Sequence, residues 1–479
     1  MATISSAGIG SGLDVNSIIT QLMAIEQQPL KALQTKATTI QSTVSEYGKI
    51  KSAISTMRDL ASKLASTATW SQTTSNTSSS AVAAASNGSA VGTYSVEVTK
   101  LASVQTLATG VQPAGSTLGS GTLRIELGTW GTGQTSFTPK ASATAVDVAI
   151  VATDTLADIR DKINAAGAGV TALVMTDSSG SRLLIRSNTS GAENAFRTTV
   201  TDGDGGNADA IGLSMLAFDP SAGAAVMTQS QTAADAAALV NGLPVTSTSN
   251  TLTNIVDGLT LTLNAETTLT GPATINVVTD TESLKKTLTD FAAAYTALVK
   301  LIATDTKYDP TTRKGGILQG DSAAVGLQRQ LRTLAGSASA ASSVFGHLSD
   351  IGLELQGDGS MTVNATKLGA ALANVAELKK MFSNSSATDP TLDGFGKRFR
   401  VVADSMIGID GAITTRTDGL GQQLQRNQKD QDALEIRLAA IEKRYRAQYT
   451  ALDTAMAQLQ TQSAYITQQI AAWSANAKS

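Results

Sequence analysis

The chain of 479 residues contains no cysteine and a single histidine, His347. Disulfide bonds, thiol nucleophiles and cysteine-based zinc sites are therefore excluded, and a histidine-dependent triad or metal centre would depend on one side chain. We accordingly expect no metal site and no cofactor in this protein, and no residue is predicted to be catalytic.

Aromatic residues make up only 4% of the chain, so its cores should be aliphatic and lightly packed. No unbroken apolar stretch approaches the roughly 18 residues that a membrane-spanning helix needs. The net charge of -3 argues against general nucleic-acid binding. We therefore expect neither a nucleic-acid partner nor a segment inserted in a membrane.

A glycine-rich segment opens the chain, reading GIGSGLDVNSIITQLMAIEQQPLKAL over residues 8–33. Its GxGxG spacing and the lack of a basic residue before Lys31 do not fit a phosphate-binding loop. It also has no basic n-region followed by a compact apolar core, so we predict no cleaved signal peptide. The segment instead predicts a helix capped by Asp14, with an apolar stripe made of Val15, Ile18, Ile19, Leu22 and Ile25.

Charge and proline content separate the middle of the chain from its ends. Residues 66–280 carry 16 acidic and 8 basic residues, whereas the rest of the chain carries 23 acidic and 28 basic residues. No proline occurs in residues 30–112 or 391–479, and these stretches can therefore form long helices. The middle is thus predicted to be a chemically distinct, acidic insertion.

Residues 420–466 carry an apolar seam with alternating steps of four and three residues, which is typical of a coiled coil. Polar residues at seam positions, such as Asn427 and Gln431, weaken pairing but can fix register or partner. A similar pattern in residues 30–64 predicts that the two terminal helices pair; a homotypic coiled coil or an ordinary helical bundle is the alternative. The predicted assembly residues are Leu22, Leu30, Leu33, Ile40, Val44, Leu424, Leu434, Leu438, Ile441, Tyr445, Leu452, Leu459 and Ile466.

Apolar residues in the middle of the chain alternate with a period of two, which predicts half-buried strands around residues 94–98, 123–127 and 259–263. Residues 154–191 predict a short helix, with Leu156, Ile159 and Ile163 on one face, followed by two strands. The segment TDGDGGNAD at 201–209 begins like a calcium loop but lacks its glycine and its bidentate glutamate, which favours a surface turn. A helical period returns after residue 280, with one apolar stripe made of Leu284, Leu288, Phe291, Tyr295, Leu298 and Ile302.

These patterns predict an α+β multidomain fold, in which long terminal helices form a coiled coil, a helical core domain follows, and β-rich domains are inserted. The predicted domains are a terminal coiled-coil domain (1–45 with 415–479), a helical core domain (46–90 with 281–414), an inner β-rich domain (91–110 with 229–280) and an outer inserted α+β domain (111–228).

Several separated motifs resemble one family, the bacterial flagellar filament cap proteins, also called hook-associated protein 2. The opening segment at 8–33 resembles the start of that family, and residues 154–191 resemble a repeat that is inserted in flagellin and hook proteins. The later motifs NGLPVTSTSNTLTNIVDGLTLTL, GGILQGDSAAVGLQRQLR and LSDIGLELQGDGSMTVNATKLGAAL resemble the family's C-terminal region. The resemblance covers essentially the whole chain.

The resemblance implies an extracellular protein at the tip of the flagellum, exported through the flagellar type III channel without a cleaved signal peptide. Its implied partners are further copies of itself in a ring of about five, flagellin, hook–filament junction proteins and a cytoplasmic export chaperone. The ring would promote folding and insertion of exported flagellin and prevent its leakage.

Two functions of other classes remain open from the residues alone. A secreted enzyme that degrades surface polymer would use paired carboxylates in the acidic middle, but nothing in the sequence places two of them together. A glycan-binding tip adhesin would use the outer insertion, and adhesion could also be a secondary role of a cap.

Overall fold

A computed structural model describes residues 14–311 and 313–476 of the chain. Gly8, Gly10 and Gly12 of the opening segment lie outside the described residues. The described helices are α1 (Val15–Glu26), α2 (Gln28–Ala65), α3 (Leu156–Ala166), α4 (Thr281–Thr306), α5 (Ser322–Ala335), α6 (Ala365–Ala371), α7 (Val375–Ser383), α8 (Phe395–Ile407) and α9 (Ala412–Asn476).

Short strands occupy most of the middle of the chain. In order, they are β1 (Thr73–Thr77), β2 (Val82–Ser86), β3 (Gly92–Lys100), β4 (Thr106–Ala108), β5 (Gly121–Trp130), β6 (Phe137–Pro139), β7 (Val146–Ile150), β8 (Val170–Asp177), β9 (Gly180–Ser187), β10 (Ala195–Asp202), β11 (Phe218–Asp219), β12 (Ala224–Ala225), β13 (Thr228–Gln231), β14 (Ala236–Val240), β15 (Leu243–Ser247), β16 (Thr251–Val256), β17 (Leu259–Leu263), β18 (Ala273–Thr279), β19 (Tyr308–Asp309), β20 (Lys314–Gly315), β21 (Leu353–Leu355) and β22 (Met361–Val363).

The chain divides into two compact units. Met1–Trp70 and Glu282–Ser479 form one, here called the helical unit, and Ser71–Thr281 forms the other, here called the inserted unit. The α+β fold class with long terminal helices, a helical core and β-rich insertions is confirmed. One boundary differs, because residues 71–90, which we grouped with the helical core, contain β1 and β2 of the inserted unit. The finer division into four domains stays a prediction.

One large apolar cluster, here called the helical core cluster, fills the helical unit between α2, α4, α5, α6, α7, α8 and the beginning of α9. The predicted α4 stripe from Leu284 to Ile302 is confirmed as buried. Trp70 stacks on Phe382 with ring centroids 5.6 Å apart. Helices α2 and α8 approach closely at Gly396, where a Cβ atom would lie 2.7 Å from the backbone nitrogen of Ala65. A larger residue there would force the two helices apart.

Antiparallel sheets form the inserted unit. A five-stranded sheet has the order β1-β18-β3-β14-β15, and a three-stranded sheet has the order β16-β17-β2. Their apolar faces share one core, which includes Val96 and Val98 of β3 and Leu261 of β17. The chain leaves this core after β3 and returns to it at β14, which pairs antiparallel with β3. The predicted strands at 94–98 and 259–263 are therefore confirmed.

The residues between β3 and β14 build a second core of their own. A six-stranded sheet containing β5, β6, β7, β10, β11 and β12, a four-stranded sheet of order β13-β4-β9-β8, and α3 surround it. The predicted face of α3, with Leu156, Ile159 and Ile163, is buried in this core. Thr155 begins α3 with a reciprocal capping box to Asp158, which satisfies two backbone donors.

The segment at 201–209 is a turn whose polar groups are used locally. Asp202 accepts a hydrogen bond from the backbone nitrogen of Ser214 at 2.8 Å, and Asp204 accepts one from Gly206 at 2.8 Å. These carboxylates therefore stabilise the loop backbone, in agreement with the predicted surface turn.

Candidate assembly surface

The two terminal helices meet at a small apolar cluster. It consists of Val15, Ile19 and Met23 of α1 with Leu438 of α9, and is here called the terminal cluster. Asp14 caps α1, since its Oδ1 accepts a hydrogen bond from the Ser17 backbone nitrogen at 3.0 Å. The predicted cap is confirmed. The predicted stripe is wrong at Ile25, which is exposed, and it missed Met23.

Helices α2 and α9 run antiparallel. Leu30, near the start of α2, packs on the terminal cluster together with Leu434 of α9. Tyr47, farther along α2, is linked through Asp321 to Arg416, which lies near the start of α9. Residues far apart in the chain therefore face each other along this helix pair.

Asp321 connects three helices near the beginning of α9. Its carboxylate accepts a hydrogen bond from the Tyr47 hydroxyl at 2.5 Å and another from Arg416 Nε at 2.9 Å. It also caps α5 by accepting from the backbone nitrogens of Ala323 and Ala324. We call the set Tyr47, Asp321 and Arg416 the carboxylate clamp. It ties α2, α5 and α9 together at one point.

Electrostatics within the carboxylate clamp favour a charged Asp321. Burial opposes its ionisation, but the hydrogen bonds from Tyr47, the α5 backbone and Arg416 outweigh burial and lower the pKa of Asp321. Burial and the neighbouring carboxylate raise the pKa of Tyr47. Tyr47 is therefore a neutral donor and Asp321 a charged acceptor at neutral pH.

A polar pair interrupts the buried face of α9 between the two apolar clusters. Asn427 is 4% exposed and Gln431 is 8% exposed. Gln431 Nε2 donates a hydrogen bond to Asn427 Oδ1 at 2.5 Å. Asn427 Nδ2 is buried and has no hydrogen-bond partner in the described part of the chain. We call these two residues the polar layer.

Beyond Tyr449, α9 has large apolar side chains in solvent. Leu459 is 58% exposed and Trp473 is 78% exposed. Scattered exposed apolar residues are ordinary, but a row of them along one helix commonly marks an interaction surface. The row, here called the exposed α9 face, consists of Leu452, Leu459, Ile466, Ile470 and Trp473, and the exposed Tyr465 lies about 100° around the helix from Ile466.

The predicted assembly residues fall into four environments. Ile40 is buried in the helical core cluster, and Val44 and Leu424 pack against it. Leu438 lies in the terminal cluster, while Leu22 and Leu33 are half-buried. The others divide between the edge of the terminal cluster (Leu30, Leu434, Ile441 and Tyr445) and the exposed α9 face (Leu452, Leu459 and Ile466). That all of them act in assembly stays a prediction.

The sequence reasoning missed the carboxylate clamp and the residues Met23 and Tyr449 of the terminal cluster and its edge. Two overlapping apolar stripes occur in α1, and only the partner helix selects the one with Met23. A usable signal existed for Asp321, because an aspartate directly before an apolar helical period is a typical N-cap. Nothing local pointed to its bonds with Tyr47 and Arg416.

The described residues form neither a metal-binding group nor a membrane-spanning helix. Within residues 14–311 and 313–476, no three acidic or histidine side chains are grouped so that they could hold a metal ion. No helix in the described ranges has both the length and the apolarity needed to cross a membrane.

Comparison with known families gives three matches. Residues 11–105 match the N-terminal model of flagellar hook-associated protein 2, and residues 233–461 match the C-terminal model of the same protein. Residues 131–189 match the flagellin hook IN motif. Together these matches extend over both units of the structure.

Relatives with known names agree with these matches. Flagellar hook-associated protein 2 of Escherichia coli K12 is 32% identical over 485 aligned residues, covering 98% of each chain. The B-type protein of Pseudomonas aeruginosa is 28% identical and covers 97% of each chain. The chain therefore belongs to the flagellar hook-associated protein 2 family, as the sequence motifs predicted.

A solved structure has the same fold over most of the chain. The crystal structure of the D1-D2-D3 domains of the flagellar cap protein FliD from E. coli superposes with a TM-score of 0.60. It is 27% identical, and the match covers 78% of this chain and 99% of that one. The similarity thus supports the architecture of helical unit and β-rich insertion.

Proposed function

We propose that this chain is a structural capping protein at the distal tip of the bacterial flagellar filament. Copies of it form a ring that holds exported flagellin while flagellin folds and inserts, and the ring prevents leakage of flagellin into the medium. The observation that carries the proposal is the exposed α9 face, in a chain whose family includes a structurally characterised filament cap.

The exposed α9 face supports an assembly role because no other part of the described chain covers its apolar side chains. A long helix with one apolar stripe is marginal in water unless another surface covers the stripe. Neighbouring copies and flagellin are the partners we propose for it, and the match to the flagellin hook IN motif supports a relation to flagellin. Hook–filament junction proteins and an export chaperone complete the proposed set of partners.

The number of about five copies in the ring is proposed from the resemblance to the cap family, and a head-to-tail contact with closed rotational symmetry would build such a ring. The acidic inserted units, with 16 acidic and 8 basic residues each, repel one another and favour a position away from the ring axis. Sedimentation velocity should show association that strengthens with protein concentration and with added salt. A strictly monomeric protein at high concentration would contradict the ring.

The cellular test uses Leu438→Asp, which places a carboxylate in the terminal cluster. Such burial of an unpaired charge should separate α1 from α9 and abolish capping. Cells with the variant should release flagellin into the medium, carry hooks with short filaments or none, and lose swimming. The measurements are flagellin in the culture supernatant and filament length by electron microscopy.

The matched control is Gln458→Asp on a solvent-exposed position of the same helix. A charge there should leave filament length unchanged, because a solvated helix position tolerates it. Normal filaments with Leu438→Asp, when the variant itself is exported correctly, would refute the role of the terminal helices in capping.

A further inference from the structure

The buried face of α9 passes through two apolar clusters that do not merge. The helical core cluster contains Leu420 and ends at Leu424, which packs on its edge. The terminal cluster contains Leu438, with Leu434 on its edge. The buried side chains of α9 between these two clusters are those of the polar layer, Asn427 and Gln431.

The polar layer is weaker than the apolar contacts on either side. It forms one internal hydrogen bond, from Gln431 to Asn427, and it leaves Asn427 Nδ2 without an acceptor. A buried donor without a partner costs free energy, which is recovered when the group reaches water. Opening the helix pair at this position therefore restores a hydrogen bond, whereas opening it within either apolar cluster exposes apolar surface without that gain.

The carboxylate clamp fixes α9 on one side of this weak point. Arg416 lies three turns before Asn427 and is bonded to Asp321, which is itself bonded to the fully buried Tyr47. Ile413 is also completely buried in the helical core cluster. The stretch of α9 before the polar layer is thus held by both apolar and charged contacts.

The terminal cluster on the other side is small. It has four buried residues, whereas the helical core cluster extends through seven helices. Tyr445 adds one hydrogen bond between the helices, from its hydroxyl to Glu26 at 3.2 Å. The contacts after the polar layer are therefore the easier ones to break.

We propose that the polar layer is a built-in point of separation in the helix pair. The part of α9 after Gln431 and its partner α1 open and close as one unit, while α9 before Asn427 stays packed in the helical core cluster. This device goes beyond the capping role, and it operates in the isolated chain whichever partner the helices contact.

The proposal can be tested by native-state hydrogen exchange of the full chain. Exchange is carried out at a series of denaturant concentrations too low to unfold the protein, and is measured by mass spectrometry. In the unmodified protein, amides of residues 434–449 and 15–26 should exchange through an opening that leaves residues 413–424 protected. If the opening that allows exchange had the same free energy and the same denaturant dependence on both sides of the polar layer, the proposal would be overturned.

Two variants locate the effect. The double change Asn427→Leu with Gln431→Met keeps side-chain volume and removes the unpaired donor. It should slow exchange of residues 434–449 by about tenfold. Residues 434–449 and 413–424 should then exchange through the same opening. The control Gln425→Leu with Gln428→Met alters exposed positions of the same segment and should leave exchange unchanged. Equal slowing by both double variants, or by neither, would overturn the proposal.

Tyr47→Phe provides an independent check that does not depend on repacking the polar layer. It removes the hydroxyl that donates to Asp321, so it should accelerate exchange of residues 413–424. Residues 434–449 should keep the exchange rate of the unmodified protein, because their opening is already independent of the core. Equal acceleration on both sides would show that α9 opens as a single unit and would refute the polar layer as the point of separation.

Discussion

The first and last parts of α9 have the same spacing of apolar residues but different surroundings. Leu420 is 4% exposed within the helical core cluster, whereas Leu459, in the same kind of seam position, is 58% exposed. The difference lies in which other helices are present, since α2 and α1 cover only the earlier part. An apolar heptad pattern therefore specifies a surface that needs a partner, and does not specify whether the same chain supplies it.

The largest effect expected along α9 is that of Leu420→Asp. The change puts a carboxylate into the helical core cluster, which should cost at least the roughly 2–5 kcal/mol of a leucine-to-alanine cavity. Urea unfolding followed by the far-ultraviolet helical signal measures the loss. A cost below about 1 kcal/mol would show that the beginning of α9 is as loosely held as its end.

Along α9, we expect acid to weaken the packing of the early part, because the carboxylate clamp holds that part. The pKa of Asp321 is lowered on folding, so its stabilising effect is present above the unfolded value of about 3.9 and is lost as pH falls through the folded value. Asp321→Asn should cost about 1–3 kcal/mol at pH 7. The unfolding free energies of the two proteins should converge in acid; a constant difference across pH would contradict the charged clamp.

Leu438→Asp should have an intermediate effect on the stability of the isolated protein, and the effect should be local to the terminal cluster. Its carboxylate disrupts the terminal cluster, but that cluster shares no residue with the helical core cluster. The free energy of unfolding of the helical unit should therefore change by less than about 1 kcal/mol. Limited proteolysis should nevertheless release α1 faster than in the unmodified chain. A large global loss would mean that the two clusters unfold together.

The smallest effect on the isolated chain is expected for Leu459→Asp. Its side chain already lies in solvent, so the free energy of unfolding should stay within about 0.5 kcal/mol. Association of copies, measured by sedimentation velocity, should be weakened. If association is unchanged as well, the exposed α9 face does not contribute to contacts between copies.

Sequence reasoning was most reliable where one local pattern determines one structural property. The period of apolar residues correctly identified the buried faces of α3 and α4, and Asp14 was recognised as a cap from its position before α1. It was less reliable for residues 71–90, where serine, threonine and alanine carry little periodic signal and the strands β1 and β2 form. Strands of this kind are determined by pairing with other strands.

Residue order and composition alone were enough to predict most element types, the acidic insertion between helical ends, and the family, whereas the strands β1 and β2 were missed. The burial of Met23 rather than Ile25 in α1, and the burial of Asn427 with an unpaired donor, depend on how the helices pack. The tertiary structure also brought Asp321 to Tyr47, 274 residues away, and to Arg416, 95 residues away. The physical reason is that burial and charge pairing depend on which surfaces meet in space, and local spacing carries no information about partners so distant in the chain.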